Sequence, residues 1–483
     1  MSAPSTKSFT DDEIAEVRGR YEKHGQSQVF DYYETLSASE QQSLLSQLSS
    51  IKVESISDLL ASAQDQHSSD ETISAFTGPV GRATTDSALV TKCQSLGMQA
   101  IREGKVAALV LAGGQGTRLG FDGPKGLYDI GLPSGRTLFQ LMAERILKLT
   151  QLASDQTTST KPIPFYIMTS PLNHQPTKDY FETSKYFGLS KHDVFFFQQG
   201  MLPCLTTDGK IILEAKHKVA MAPDGNGGIY PSLQSSGALQ DMKNRGIAYL
   251  HVFSIDNALV KPADPVFVGY CLEQHADCGN KSVWKSHAHE KVGVVATKGG
   301  RPCIVEYSEI SKELAEATDD QGILLFGAGN ICNHFYTLDF IYDTILPNMG
   351  NLYHIAHKKI PYYDETQQTT VTPSSNNGIK LETFIFDVFP LSSRFAVLEV
   401  NRDEEFAPVK NKSGSTFDSP DTAREMISAL CQSWVKAAGG KVVAKSTETE
   451  TSSICEIAPS TSYAGEGLEE LVKDKEMKVP FRL

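Results

Sequence analysis

Long apolar runs and an excess of positive charge are both missing from this chain. No stretch of the 483 residues approaches about 18 continuous apolar residues, so we expect no transmembrane helix. The N-terminal segment has no apolar core of the kind a signal peptide needs, which predicts a cytoplasmic protein. The formal net charge is -13, whereas a nucleic-acid binder needs a basic face. Neither nucleic acid nor membrane is therefore expected as a partner.

Cysteine pairs with metal-binding spacing are also missing. The eight cysteines are scattered and form no C-x-x-C pair. We expect them to be reduced thiols and expect no zinc site. The sequence shows no internal repeat and does not determine the oligomeric state, for which a monomer or weak dimer is the expectation.

The predicted organisation has three parts, with a mainly helical region at 1–104, a catalytic domain at 105–395 and a small α+β domain at 396–483. Capping boxes at Thr10–Glu13 and Ser37–Glu40 predict helices in the first part, followed by a connecting segment at 65–90. The second part alternates helical patterns, such as 137–149, with short apolar runs at 106–112, 164–170, 194–199, 248–255 and 322–329. This alternation predicts a mostly parallel, mixed Rossmann-like sheet flanked by helices. In the third part we expect a helix at about 420–437 and a polar strand or loop at 447–453.

A glycine-rich segment, LAGGQGTRLGFDGPKG at 111–126, follows the first predicted strand. It holds six glycines and the cations Arg118 and Lys125, with Asp122 as its sole acid. Glycine-rich backbone after a strand presents N–H groups that suit phosphate or the edge of a base. Ligands of parallel sheets bind at the carboxyl ends of the strands, which is where this segment lies.

Three common phosphate-binding motifs do not fit this segment. A P-loop would need its lysine after the glycine, but Lys125 precedes Gly126. The spacing of Gly114, Gly116 and Gly120 is one residue too long for the dinucleotide fingerprint. The HRD and DFG motifs that accompany a kinase glycine loop are absent.

The segment LAGGQGTRLGFDGPKGLYDIGLPSGRTLFQ closely resembles the signature of eukaryotic UDP-N-acetylhexosamine pyrophosphorylases. The resemblance continues in collinear order to residue 411, through FFFQQGMLPC, MAPDGNGGIY, HVFSIDNALVKPADP, IVEYSEI, FGAGNICNHF, IKLETFIFD and EFAPVKN. It implies a nucleotidyltransferase that uses UTP and N-acetylglucosamine 1-phosphate and makes UDP-N-acetylglucosamine and diphosphate. In-line attack on the α-phosphorus of UTP would be assisted by Mg²⁺.

The resemblance, together with residue chemistry, assigns a role to each candidate residue. The base pocket comprises the backbone of Leu111, Ala112, Gly113 and Gly114 with the amide of Gln199; the phosphates are assigned to Arg118, Lys125, Lys380 and Lys410, with Lys410 on the sugar phosphate; the sugar is assigned to Gly225, Asn226, Glu306, Tyr307 and Asn330; and Asp256 is assigned to nucleotide and Mg²⁺. The glycines at 225, 227 and 228 are expected to form a loop open to a ligand, with the Asn226 amide beside the N-acetyl group.

From the residues alone, several of these roles stay open. Asp256 could be a helix N-cap, and Gln198 competes with Gln199 for the base. Lys380 and Lys410 could be solvated, and Glu306 with Tyr307 could lie on a solvent-facing hairpin. Asp264 is a weaker second carboxylate.

Other functions also remain as alternatives. A UDP-glucose or broad UDP-sugar pyrophosphorylase shares the chemistry, although such relatives usually have a GHGD-like loop in place of GNGGIY. A catalytically silent nucleotide-sugar sensor is a second alternative, which the retention of Arg118, Lys125, Asp256 and Lys410 argues against. A dehydrogenase is disfavoured because the glycine spacing does not fit and no suitable acid follows.

Overall fold

The computed structural model describes residues 9–65, 72–154, 161–443 and 454–483. Its α-helices, in chain order, are α1 (Asp11–Lys23), α2 (Ala38–Ser50), α3 (Val53–Asp65), α4 (Ser87–Arg102), α5 (Leu138–Ala153), α6 (Pro171–Thr183), α7 (Ile229–Ser235), α8 (Ala238–Arg245), α9 (Pro265–Glu273), α10 (Lys312–Glu316), α11 (Leu346–Asn348), α12 (Arg402–Glu405), α13 (Pro420–Ala437) and α14 (Glu469–Val472). Within these ranges, no helix is both long and apolar enough to traverse a bilayer.

The strands, numbered in the same way, are β1 (Ile73–Ala75), β2 (Val80–Arg82), β3 (Val106–Leu111), β4 (Phe165–Thr169), β5 (Val194–Gln198), β6 (Met201–Pro203), β7 (Leu205–Thr206), β8 (Leu213–Ala215), β9 (Lys218–Val219), β10 (Met221–Pro223), β11 (Tyr249–Ser254), β12 (Cys278–Trp284), β13 (Val294–Lys298), β14 (Arg301–Val305), β15 (Ala328–Thr337), β16 (His354–Lys358), β17 (Tyr362–Asp364), β18 (Thr369–Val371), β19 (Gly378–Glu382), β20 (Phe395–Glu399), β21 (Lys441–Val443) and β22 (Glu476–Lys478).

A central sheet of 11 strands confirms the predicted mixed, mostly parallel α/β fold. Its main path runs β2-β20-β12-β15-β11-β3-β4-β5. Every neighbouring pair along this path is parallel except the two formed by β15, which runs antiparallel to β11 and β12. All six residues of β3 are buried, as expected for a strand covered on both faces. The carboxyl ends of β3, β11 and β20 and the start of β15 therefore lie at one edge of the sheet.

Several local predictions are confirmed. Both predicted capping boxes are present, at the starts of α1 and α2. The predicted helices at 137–149 and 420–437 correspond to α5 and α13. Four predicted strands correspond to β3, β4, β5 and β11 to within two residues at each end.

Two local predictions are wrong. The run 322–329 is not a strand, because its first part turns back on itself through a bridge between Thr318 and Leu324; strand β15 begins only at Ala328. The segment 65–90 is more than a connection, because β1 and β2 join the central sheet through their pairing with β13 and β20. The strands that pair with β1 and β2 lie more than 200 residues away along the chain, so the local sequence pattern could not reveal this pairing. The predicted strand or loop at 447–453 lies outside the described residues.

Packing divides the chain into two compact units. Unit 1 comprises residues 1–70, 199–231 and 346–388, and unit 2 comprises 71–198, 232–345 and 389–483. Unit 1 buries the apolar faces of α1–α3 against β7, β9 and β19, and unit 2 contains the central sheet. The three-part division at residues 104/105 and 395/396 follows the texture of the sequence and stays a prediction.

Candidate functional site

The glycine-rich segment leaves β3 at the carboxyl edge of the sheet in unit 2 and folds back on itself. The Gly116 amide donates to the Gly123 carbonyl (2.8 Å), and the Lys125 amide donates to the Gly114 carbonyl (3.1 Å). A Cβ added to Gly126 would lie 2.1 Å from the Phe139 ring, so packing alone requires glycine there. A Cβ added to Gly114 would meet no described protein atom within 4 Å. Close approach of a ligand is the explanation that the sequence predicts for glycine at that position.

Part of the predicted base pocket is already engaged in the sheet. The Ala112 amide donates to the Met168 carbonyl (2.8 Å), and the Leu111 carbonyl accepts from Ile255 (3.2 Å). These two groups fix the backbone rather than remaining open for a base. Leu111 and Ala112 are also buried, whereas Gly113 is half-buried and Gly114 is exposed, so the two glycines are the more accessible part of the predicted pocket.

Asn173 holds those two glycines from the protein side. It lies in the first turn of α6, is fully buried, and donates through Nδ2 to the carbonyls of Gly113 (2.8 Å) and Gly114 (3.0 Å). Its carboxamide thus positions two peptide groups at once. Sequence reasoning missed Asn173, although its place just after the predicted strand at 164–170 was an available signal.

Three predicted cations and one predicted carboxylate act on one another at the same edge. Burial lowers the pKa of Lys125, Asp256 acts in the opposite direction, and Lys410 and Arg118 lower it further. An ammonium crowded by two other cations is destabilised until an anion arrives. The arrangement therefore favours a polyanionic ligand; the assignment of Arg118, Lys125 and Lys410 to phosphates stays a prediction.

Asp256 and Lys410 are brought together by two hydrogen-bonded segments, 256–258 and 405–409, which we call the loop pair. The Val409 amide donates to the Asp256 carbonyl (2.9 Å), and the Ala258 amide donates to the Ala407 carbonyl (3.0 Å). Buried Asn257 donates through Nδ2 to the Glu405 carbonyl (2.7 Å) and accepts through Oδ1 from the Ala407 amide (2.9 Å). Asp256 is thus bonded to the residue that precedes Lys410 in sequence.

Asp418 is a second carboxylate beside Lys410 that sequence reasoning missed. Its Oδ2 lies 3.8 Å from Lys410 Nζ, and its carbonyl accepts from the amides of Lys410 (2.7 Å) and Asn411 (2.9 Å). Its φ of 48° lies in the left-handed region, which aspartate tolerates better than most residues. Burial raises the pKa of Asp418, Lys410 lowers it, and Asp256 raises it. The sequence offered no signal beyond an acid eight positions after the lysine.

The predicted sugar residues of unit 2 lie near a shared glycine. The Asn330 amide donates to the Gly293 carbonyl (2.8 Å), and Glu306 Oε1 lies 3.1 Å from the position of a Cβ on Gly293. Burial raises the pKa of Glu306, and Glu309 raises it further. The Tyr307 side chain is 49% exposed, and Asn330 Oδ1 accepts from the Cys332 amide (3.1 Å). Glu306 and Asn330 thus both lie near Gly293, Tyr307 is half-exposed, and the sugar contacts of all three stay predictions.

Unit 1 contains the other predicted residues. Gln199 Nε2 donates to the Gly225 carbonyl (2.6 Å), and Asn226 Oδ1 accepts from the Ile385 amide (3.0 Å). These bonds leave Gln199 Oε1 and Asn226 Nδ2 as the atoms able to meet a ligand. Lys380 lies on β19, half-buried, and opposes the burial that raises the pKa of Cys204 to about 11.

The prediction that the glycines of the GNGG loop stand open to a ligand is wrong. A Cβ on Gly225 would lie 2.1 Å from the Thr383 carbonyl, and φ there is 86°. A Cβ on Gly227 would meet the Phe384 carbonyl at 2.7 Å, and one on Gly228 would meet Asp224 Oδ1 at 1.9 Å. Glycine is required at these positions by packing against the protein itself.

The acidic residues of unit 2 fit magnesium only when phosphates share in binding it. Among the described residues, no group of three His, Cys, Asp or Glu side chains could hold a metal ion by itself. Magnesium is usually held by one or two carboxylates together with waters and substrate phosphates. Half-buried Asp256, with Asp418 close to its neighbour Lys410, matches that donor set. Asp264 does not, because it is buried, caps α9 and forms an ion pair with Lys281 (2.5 Å).

Comparisons with known proteins identify the family of the chain. A family model described as UTP–glucose-1-phosphate uridylyltransferase matches residues 61–458. The chain is 43% identical over 493 residues to UDP-N-acetylhexosamine pyrophosphorylase-like protein 1 of Xenopus tropicalis, with 96% of each chain covered. It is 42% identical over 463 residues to UDP-N-acetylglucosamine pyrophosphorylase of Saccharomyces cerevisiae, covering 92% of this chain and 94% of the relative.

A solved structure is similar over nearly the whole chain. This structure is the uridine diphosphate N-acetylglucosamine pyrophosphorylase from Trypanosoma brucei in complex with an inhibitor. The two sequences are 30% identical, the TM-score is 0.82, and the match covers 96% of this chain and 95% of the other. Together with the sequence relatives, it confirms the resemblance that the motifs indicated.

Proposed function

The chain belongs to the UTP–glucose-1-phosphate uridylyltransferase family, and we propose that it transfers the uridylyl group of UTP to N-acetylglucosamine 1-phosphate. The observation that carries this proposal is the convergence of Arg118, Lys125, Lys410 and Asp256 at the carboxyl edge of the sheet. The relatives that match over more than nine tenths of the chain have names that fit the same reaction.

The reaction needs positioned charges rather than a covalent intermediate. A phosphate oxygen of the sugar 1-phosphate forms a bond to the α-phosphorus of UTP, while the bond from that phosphorus to the bridging oxygen breaks and its electron pair leaves with diphosphate. We assign Lys125 and Arg118 to the UTP phosphates and the departing diphosphate, and Lys410 to the attacking phosphate. Preorganised charges of this kind commonly stabilise the transition state more than any other feature of an active site does.

Asp256 is the residue that we propose to bind Mg²⁺. When bound with the nucleotide, Mg²⁺ would neutralise charge on the phosphate oxygens. The chain's own contribution is to hold the Asp256 carboxylate in place through its backbone bond to Val409. Asp418, whose Oδ2 lies 3.8 Å from Lys410 Nζ, would restrain the ammonium that we assign to the sugar phosphate.

For the sugar, we propose that Asn226 Nδ2 donates to the acetamido group and that Glu306 accepts from sugar hydroxyls. The Ile385 amide fixes Asn226 Oδ1 and so leaves the NH₂ group as the donor. Glucose offers a single hydroxyl in place of the acetamido group. Each buried polar group left unpaired costs roughly 1–3 kcal/mol.

A panel of sugar 1-phosphates with UTP and Mg²⁺, read by diphosphate release, tests the proposal. N-acetylglucosamine 1-phosphate should exceed glucose 1-phosphate in kcat/KM by about two to three powers of ten. Asn226→Ala should reduce that preference, whereas Glu306→Ala should lower both activities together. Comparable efficiency with glucose 1-phosphate in the unmodified protein would contradict the proposal and favour a broad UDP-sugar pyrophosphorylase.

A further inference from the structure

Lys281 is a fully buried charge that none of the roles above uses. It lies in the middle of β12, and its Nζ is 2.5 Å from Asp264 Oδ2 and 2.5 Å from Glu405 Oε2. Burial works against its charge, but the two carboxylates raise the pKa of Lys281 above its ordinary value. Burial likewise opposes ionisation of Asp264, yet Lys281 and Lys261 hold its pKa below the ordinary value. Both groups are therefore charged inside unit 2.

Burying such a cluster of charges is unfavourable to the free energy of folding. Desolvation of buried ions commonly outweighs their mutual attraction, and an apolar replacement of similar shape is often no less stable. Stability alone is thus a weak reason for this arrangement. The geometry of the cluster indicates a role in positioning.

One carboxylate, Glu405, lies on the loop pair itself, and the other, Asp264, lies six residues beyond Ala258, on the chain that continues from the first segment. Glu405 is the last residue of α12 and its carbonyl accepts from Asn257 Nδ2, so it begins the segment that ends at Val409 and leads to Lys410. Asp264 ends the stretch that starts at Asp256, and it caps α9 by accepting from the Val266 amide (3.1 Å). Lys261, on the same stretch, adds a contact of 3.2 Å to Glu405 Oε1.

We propose that Lys281 is a positioning residue that clamps the loop pair to the central sheet, and thereby sets the separation of Asp256 and Lys410. The effect on reaction rate rests on the proposed function, whereas the anchoring of the loop pair does not. Lys281 touches neither residue itself, and its effect passes through Asp264 and Glu405 to the hydrogen bonds of the loop pair. A misplacement of about 1 Å can cost a catalytic step roughly 100-fold, so a clamp of this kind matters to rate.

The direct test is hydrogen exchange of the full chain without substrates. Lys281→Met keeps the length of the side chain and removes its charge. The amides of Ala258, Ala407 and Val409 should exchange at least about tenfold faster in this variant, because the bonds they donate lose their anchor. Unchanged exchange at all three amides would overturn the proposal, whatever the protein's substrates prove to be.

Arg245→Met is a control for the loss of a cation that pairs with two carboxylates, although the Arg245 side chain is 29% exposed and that of Lys281 is fully buried. Arg245 also pairs with two carboxylates, Asp193 (2.9 Å) and Asp241 (2.8 Å), but lies near the start of β5, at the opposite edge of the sheet. This variant should leave exchange in the loop pair at the unmodified rate. Equal acceleration by both variants would show a general loss of stability and overturn the proposal.

A double-mutant cycle on the reaction separates positioning from folding. With N-acetylglucosamine 1-phosphate as substrate, Lys281→Met should lower kcat roughly 10- to 100-fold. In a Lys410→Ala background the further loss should be below about threefold, because residues that act through one another are not additive. Loss by the same factor in both backgrounds would contradict action through Lys410. If the unmodified protein does not release diphosphate, the proposed function fails while the exchange result still decides on the clamp.

A second variant keeps the test decisive if Lys281→Met does not fold. The triple change Lys281→Met, Asp264→Asn and Glu405→Gln removes the charges of the three buried partners together, and it leaves the partly exposed Lys261 without its contact to Glu405. Asparagine also serves as an N-cap, so α9 keeps its start. Faster exchange of the three amides in the folded triple variant supports the clamp, and unchanged exchange overturns it.

Discussion

Replacing Asp224 by asparagine should stabilise the protein above about pH 6 and have little effect in acid. Asp224 is 4% exposed, and no described group donates to its Oδ1. Burial raises the pKa of Asp224 from 3.8 to about 6, although its own backbone amide and the Gln199 side chain lower it in part. The folded state thus favours the protonated acid more than the unfolded state does.

The sign and size follow from proton linkage. Between pH 3.8 and about 6 the folded form holds more protons than the unfolded form, so stability falls as pH rises through this window and then levels off. This shift in the pKa of Asp224 corresponds to a loss of ~3 kcal/mol in the free energy of unfolding at neutral pH. Asparagine has no such cost, because it is never ionised.

Differential scanning calorimetry from pH 4 to pH 8 measures the effect. For a unit of this size, ~3 kcal/mol corresponds to a rise in Tm of about 6–12 °C, expected at pH 8 and absent near pH 4. Asp58→Asn is the matched control, since Asp58 is an exposed acid on α3 of the same unit. A Tm difference between unmodified protein and Asp224→Asn that stays constant across the range would refute the reasoning.

Three further predictions concern catalysis. Asp256→Ala should abolish diphosphate release while leaving the circular dichroism spectrum unchanged, and near-normal turnover at saturating Mg²⁺ would show that its metal role is wrong. Lys125→Ala should mainly raise the apparent KM for UTP, and Lys410→Ala should mainly raise the apparent KM for the sugar 1-phosphate. Steady-state kinetics with each substrate varied in turn measures both constants. Equal changes of the two KM values in both variants would show that the lysines do not have separate roles. Gln199→Ala should weaken UTP binding and relax discrimination against CTP by about 1–3 kcal/mol, and an unchanged CTP/UTP ratio of kcat/KM would exclude the amide from reading the base.

The sheet and its catalytic edge could be predicted because they depend on local pattern. The apolar runs of β3, β4, β5 and β11 have the composition and length of strands, although β5, at the end of the main path, is only partly buried. The glycine segment follows the first of these runs directly. Asp256 could be placed by the same logic, since it stands at the end of an apolar strand. Family resemblance supplied Lys410 and Gln199, which have no distinctive local context.

What sequence reasoning missed depends on contacts that form only in the folded chain. Asn173 becomes informative only when α6 lies against the glycine segment, and Asp418 only when its carbonyl meets the amide of Lys410. The error at Gly225 has the same origin, because the atom that excludes a side chain there belongs to Thr383. A glycine required by a ligand and one required by the protein look alike in a sequence.

The pairing of β2 with β20 has a consequence for synthesis of the chain. These strands are parallel neighbours, with Arg82 opposite Glu399, yet more than 300 residues separate them. At a translation rate of 5–20 residues per second, β2 would wait roughly 15–60 s for its partner to leave the ribosome. The edge of β12 that β20 later covers also stays unpaired, for roughly 6–23 s at the same rate, because about 115 residues separate the ends of β12 and β20. Open edges of this kind are where nascent chains aggregate. Since Lys410 lies just beyond β20, the same late event completes the sheet and delivers the last cation of the proposed site.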